Sequence, residues 1–142
     1  MPIRVGIDLV AAEAVQAALQ AAHGERYLER VYTELELEDC RTAAGVDPER
    51  LAARFAAKEA TLKVLPAGGG GVSLRAIEVR RDASGRVHLR LSGRAAQLAA
   101  DAGLADFAIS LTHEGGFAAA VVVADGRGAT PAVPDTADGA TT

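Results

Sequence analysis

The sequence predicts an α+β fold with a largely antiparallel sheet, on three observations. The chain opens with strand-like alternation, Ile3, Val5, Ile7 and Leu9 on one face and Arg4, Gly6 and Asp8 on the other. Alanine-rich helical stretches follow it. Later strands come in pairs joined by short turns, "DASG" at 82–85 and "HEGG" at 113–116. The resulting order is β-α-α-β-β-α-β-β.

The elements follow in sequence. After the first strand, over 3–10, an alanine-rich helix runs over roughly 11–30 with a break near Gly24. "VYTELELEDC" turns into a short helix, with Thr33 and Glu36 spaced for a capping box. Asp47 and Pro48 are the cap and first-turn proline of a helix over 48–65, which Pro66 stops. "PAGGGG" (66–71) is a flexible loop into a strand over 72–80, paired with a strand over 86–91. Ser92 and Gly103 bracket another helix. Strands over 105–112 and 117–124 form the last hairpin. From Asp125 on there is no apolar periodicity, so the expected organisation is one domain, 1–124, and a disordered tail, 125–142.

A length of 142 residues suits a single domain. Apolar residues make up 49% of it, yet much of that is alanine and there is no tryptophan, so the core is thinly filled and burial in an oligomer would help it. A net charge of −4 and a pI near 5.3 give no basic field for nucleic acid and no polybasic membrane anchor. The N-terminus carries no long apolar run or cleavage site, which points to neither a signal peptide nor a membrane span. A single cysteine, Cys40, suits a reducing cytoplasm. In the acidic stretch "ELEDCR" it reads as a small half-buried apolar residue rather than a reactive thiolate.

The residues with chemical potential concentrate in "RFAAKEATLK", Arg54 to Lys63. On a helical wheel Leu51, Phe55, Leu62 and Leu65 form one apolar stripe. Lys58 falls inside that stripe, Arg54 on one shoulder, and Glu59 and Lys63 on the other as an i,i+4 pair. An ordinary surface salt bridge with a snorkelling lysine accounts for the pattern, except that a lysine on an apolar face needs an anion to meet it. Asp8 reads as solvent-facing, opposite the strand's apolar residues, although Gly6 allows close approach by another segment or a ligand. Asp8 and Glu59 would together suit a hard cation such as Mg²⁺ if the fold brings them together. The Gly68–Gly71 run is neither a Walker loop nor a dinucleotide fingerprint and reads as a linker whose amides could touch a phosphate. His113 and Glu114 fall at a hairpin tip, open to phosphate contact or proton transfer.

In order and separation, "VGIDLV", "RVYTELEL", "RFAAKEATLK", the spacing on to "LRAIEV", and "ISLTHEGGFAAAVVV" resemble holo-acyl-carrier-protein synthase, the small trimeric type of 4′-phosphopantetheinyl transferase, over about residues 3–124. The resemblance implies transfer of phosphopantetheine from coenzyme A to a carrier-protein serine, with release of adenosine 3′,5′-bisphosphate. It implies Mg²⁺ on Asp8 and Glu59, Lys63 on the coenzyme A diphosphate, and Arg54 and His113 near the nucleotide's phosphates. Lys58 belongs to the same motif and is expected to contact the nucleotide, as are Gly69 and Gly70 in the glycine loop. Glu59, or the His113–Glu114 pair, is the base for the serine. It further implies a homotrimer with coenzyme A between subunits, working in the cytoplasm on a fatty-acid or polyketide carrier. The chain departs from the family where the first helix usually presents base, having Glu13 and Ala14 there, with Arg26 and Arg30 further along. The glycine loop reads "LPAGGGGVS" where a Gly-Thr-Gly segment is usual. Two rival readings are a non-catalytic binding subunit and a metal-dependent phosphohydrolase of coenzyme A.

Overall fold

One 17-residue helix, α4 (Pro48–Val64), is the axis around which the other elements pack. The Asp47 carboxylate accepts the Glu49 N–H at its start, with Pro48 in the first turn, and the helix ends just before Pro66. Alanines 52, 53, 56, 57 and 60 are all buried, so neighbours close in on most of its circumference. In this computed structural model, which describes residues 3–126, strands β1 (Ile3–Ala11), β6 (Asp106–Glu114) and β7 (Phe117–Asp125) form an antiparallel sheet in the order β1-β7-β6. The sheet lies against α4 through small residues. Gly6, Ala118, Ala120 and Ala124 are buried there, and a Cβ on Gly6 would stand 2.1 Å from the Ala60 carbonyl oxygen. Arg4 reaches across to donate to the Val64 carbonyl at 3.2 Å.

This reverses the expected orientation of β1. The face carrying Arg4, Gly6 and Asp8 turns inward, while Ile3, Val5, Ile7 and Leu9 are 61–65% exposed and Phe117 50%. The cause is steric: a strand can approach an alanine helix this closely only on its glycine side, which leaves the branched side chains outside. The outer face of the sheet is therefore an apolar patch, larger than scattered surface leucines would give.

The predicted first helix is two, α1 (Ala12–Gln20) and α2 (Gly24–Val31). The capping box forms as expected at α3 (Glu34–Asp39), with Thr33 and Glu36 each bonding the other's backbone N–H. α1 to α4 share a small core of Val15, Val31, Tyr32, Cys40, Leu51 and Ala118. Within it, burial pushes the Cys40 thiol up to about 11, which agrees with an unreactive packing role. A two-residue ladder, β2 (Arg41–Thr42) with β3 (Gly45–Val46), was not expected. The predicted strand 72–80 is shortened to β4 (Ile77–Arg81) by a 3₁₀ turn at Leu74–Ala76. β4 pairs with β5 (Val87–Leu91), and α5 (Gly93–Asp101) follows. The main core joins α4, β4, α5 and the sheet through Ala56, Ala60, Val64, Ile77, Val79, Ala99 and Val122. β7 runs through Asp125, and the rest of the predicted tail lies outside the described residues from 127 on.

Candidate active site

The lysine on the apolar stripe found its anion inside the protein. Lys58 Nζ donates to Glu36 Oε1 at 2.7 Å and to the carbonyls of Ile77 at 2.7 Å and Leu74 at 3.0 Å. Both side chains are fully buried, and the ammonium lies 5.7 Å from the Tyr32 ring centroid. Glu36 in turn accepts the Thr33 and Val79 N–H groups. Burial pulls the Lys58 pKa below the ordinary lysine value, against the opposing pull of Glu36. All three ammonium hydrogens are engaged, so Lys58 has none for a ligand. The expectation that it contacts a nucleotide is corrected: it pins α3 and β4 to α4. Glu36, read from the sequence only as half of a capping box, is its counter-ion.

At the C-terminal half of α4 the structure brings Asp8 and Lys63 together. Lys63 Nζ donates to the Ile7 carbonyl at 2.6 Å and lies 3.3 Å from Asp8 Oδ1. Asp8 is half-buried rather than solvent-facing, because its strand face is the one on α4. Glu59, also half-buried, sits one turn before Lys63 on the same helix. Among the described residues no group of three or more His, Cys, Asp and Glu forms a ready-made metal cage.

At the N-terminal half, Arg54 is buried, not on a shoulder. One guanidinium nitrogen donates to the Arg50 carbonyl at 3.4 Å, while Nε and Nη2 have no hydrogen-bond partner. Arg54 lines a cavity of about 410 Å³ together with Arg50, Arg81, His113, Asp39 and Glu49. His113 Nδ1 faces Glu49 Oε2 at 3.5 Å. His113 and Glu114 lie at the end of β6 rather than in the turn, which Gly115 and Gly116 alone make, both at positive φ. Gly69 is buried against Leu62 and Gly70 is exposed, in the loop that leaves α4.

These two groups point away from each other. Lys63 follows Arg54 by nine residues, so an ideal helix sets them about 180° apart around the axis and roughly 13 Å along it. One chain carries two half-sites, an acid–lysine pair and a basic cavity.

The model of the 4′-phosphopantetheinyl transferase superfamily matches residues 4–122, nearly the whole described chain. The chain belongs to this superfamily. Among curated relatives, a holo-[acyl-carrier-protein] synthase of Chloroflexus aurantiacus is 44% identical over 131 residues, covering 84% of this chain and 95% of the relative. A protein of the same name from Gloeobacter violaceus is 41% identical, over 84% of this chain and 89% of its own. Among solved structures, an ACPS–CoA complex from Chronobacterium ammoniagenes superposes with a TM-score of 0.74 at 33% identity, over 88% of this chain and 98% of that one. The AcpS structure from Neisseria meningitidis also gives 0.74, at 30% identity, over 85% and 96%. The family and the α+β fold expected from the sequence are thereby borne out. No helix among the described residues is long and apolar enough to cross a membrane.

Proposed function

We propose that this protein transfers 4′-phosphopantetheine from coenzyme A to a serine of an acyl carrier protein, releasing adenosine 3′,5′-bisphosphate. The observation that carries the reading is Arg54, a buried guanidinium with unbonded N–H groups beside a cavity flanked by Arg50, Arg81 and His113. A buried donor left unpaired is costly, and a phosphate is the ligand that would satisfy it in a basic cavity. The coenzyme A complex of a relative supports coenzyme A as the ligand.

The acid–lysine half-site fits Mg²⁺. Asp8 already has a cation, the Lys63 ammonium, against its carboxylate, and Glu59, one turn before Lys63 on α4, supplies a second acid. Mg²⁺ is usually held by one or two carboxylates with water and substrate phosphate completing the shell, so two acids suffice. When bound, the ion would neutralise charge on the diphosphate. Lys63 keeps one N–H outside its two bonds for a phosphate oxygen and stabilises the leaving group. Glu59, on this side, takes the proton of the attacking serine. Arg54 and His113 hold the nucleotide end, and Glu114 shares the strand end with His113. This division fixes the reacting bond by its distance from an anchored nucleotide.

A ligand held by both half-sites bridges two copies of the chain, since one copy presents them on opposite sides of α4. The exposed apolar face of β1 and β7 is the surface a second copy would cover, in the homotrimer that the resemblance implies. The carrier docks through Arg26 and Arg30, exposed on α2, because α1 offers Glu13 and Ala14 instead of base. The reading gives no role to nucleic acid or membrane, and it sets the reaction in the cytoplasm, on a fatty-acid or polyketide carrier.

The test is complementation. Glu59→Ala and Arg54→Ala chains, each defective alone, are co-expressed with different tags and the mixed assemblies purified. In a mixed trimer of either composition one of the three shared sites is intact, so activity returns to about a third of wild type. Mixed assemblies no more active than their parents would refute a site shared between subunits.

A further inference from the structure

The loop leaving α4 is bent in an uncommon way. Ala67, Gly68 and Gly69 take left-handed backbone in succession, with φ of 52°, 63° and 70°, and Ala67 is the one non-glycine residue at positive φ among those described. Left-handed backbone is strained for an alanine, so neighbouring contacts must hold the loop in shape. Two do. From below, Leu62 closes on Gly69, where a Cβ would stand 2.5 Å from Leu62 Cδ2. From above, Arg94 in the first turn of α5 donates from Nε to the Gly70 carbonyl at 2.9 Å, across 24 residues of sequence. The same Nε lies 3.1 Å from where a Gly71 Cβ would be, so the guanidinium is seated against the loop backbone, and the φ of 77° at Gly71 favours glycine there. A backbone bond within the loop, from Val72 N–H to the Gly69 carbonyl at 3.0 Å, spans the segment that Arg94 holds.

We propose that Arg94 is a positioning residue for the nucleotide of coenzyme A. It acts through the loop: its charge-assisted bond to Gly70 fixes the 66–71 backbone beside the Lys63 end of α4, so that the loop meets the nucleotide already ordered. The proposal rests on the transfer reading and on the expectation from the resemblance that this loop touches the nucleotide. The arginine substitutes for order that a four-glycine run does not have of itself.

The experiment compares wild type with Arg94→Ala and Arg94→Lys in the full chain. Two readouts are taken: amide exchange of the loop without ligand, and steady-state kinetics with coenzyme A and an apo carrier. Arg94→Ala should speed exchange at Val72 at least tenfold and raise KM for coenzyme A about tenfold, as expected for the loss of one hydrogen bond to a charged group. The kcat and the KM for the carrier should stay within twofold. Arg94→Lys, which can still donate to the Gly70 carbonyl, should recover most of both effects. Unchanged Val72 exchange in Arg94→Ala would overturn the clamp. A loosened loop with an unchanged KM for coenzyme A, or equal losses in kcat and in both KM values, would overturn the positioning role. If wild type itself uses no coenzyme A, the transfer reading fails and this proposal with it, whereas the exchange measurement on ligand-free protein still decides whether Arg94 holds the loop.

Discussion

Replacing Lys58 with methionine keeps most of the side chain's volume and removes its charge. Three hydrogen bonds of 2.7, 2.7 and 3.0 Å disappear, and Glu36 is left in the core with only the Thr33 and Val79 N–H groups. Breaking a buried ion pair by deleting one partner costs about 3–5 kcal/mol, because the remaining charge is uncompensated. The carbonyls of Leu74 and Ile77 lose a donor as well, although relief from desolvating the ammonium offsets part of that. Stabilities of small domains run to about 5–15 kcal/mol, so the loss is a large share of the total. At roughly 3–5 °C per kcal/mol for a domain of this size, the melting point should fall by about 10–20 °C. Thermal melts and urea titrations followed by circular dichroism measure it. The double variant Glu36→Leu/Lys58→Met should regain most of the stability, since two well-packed apolar groups can replace a buried pair with little net cost. A Lys58→Met protein that melts within about 3 °C of wild type would refute the structural assignment. Unchanged stability with a raised KM for coenzyme A would return Lys58 to the ligand set.

Asp8→Ala and Glu59→Ala should each abolish transfer while leaving the fold intact by circular dichroism, and excess chelator should do the same to wild type until Mg²⁺ is restored. Full activity in either variant or in chelator contradicts the metal assignment. Arg54→Leu should melt at or above the wild-type temperature, because it removes an unpaired buried charge, yet bind coenzyme A at least tenfold more weakly by calorimetry. Ile7→Glu places a charge in the exposed apolar face of β1 and should yield smaller particles by light scattering, with loss of transfer. The Cys40 thiol is raised from 9.0 to about 11 in the fold, so it favours folding fully below pH 9 and loses that contribution as pH rises towards 11. The contribution is up to about 3 kcal/mol, so Cys40→Ala should flatten the alkaline loss of stability between pH 9 and 11. A thiol reagent at pH 8 should leave the native protein unlabelled, and rapid stoichiometric labelling would disprove the burial.

Local signals were legible in the sequence where the chemistry is local. The Thr33–Glu36 box and the Asp47–Pro48 start stand where the residues put them, because caps are settled within four residues. Alternation in β1 separated two faces correctly but could not say which faced inward. That depends on the contact between Gly6 and Ala60, 54 positions away, and on a face that a single chain does not cover. Lys58 was rightly placed on the apolar side of α4, yet its partner lies 22 residues earlier in another helix. The capping box already accounted for Glu36 in "TELEL", and no local signal pointed to its partner in another helix. Arg54 looked marginal on a wheel that assumes one buried face, whereas α4 is enclosed on most sides. β2 and β3, at two residues each, are too short for any periodicity to register. The opposed half-sites on α4 follow from helix geometry alone, but their meaning appears only with the cavity at Arg54 and the open sheet face on the page.

The most direct test of the central claim is intact-mass spectrometry of an apo acyl carrier protein incubated with coenzyme A, Mg²⁺ and this protein. The account predicts that the carrier gains one phosphopantetheine group on a single serine, with one adenosine 3′,5′-bisphosphate released per modified carrier. Bisphosphate formed with the carrier unmodified would mean hydrolysis, neither product would mean a binding subunit, and either result would contradict it.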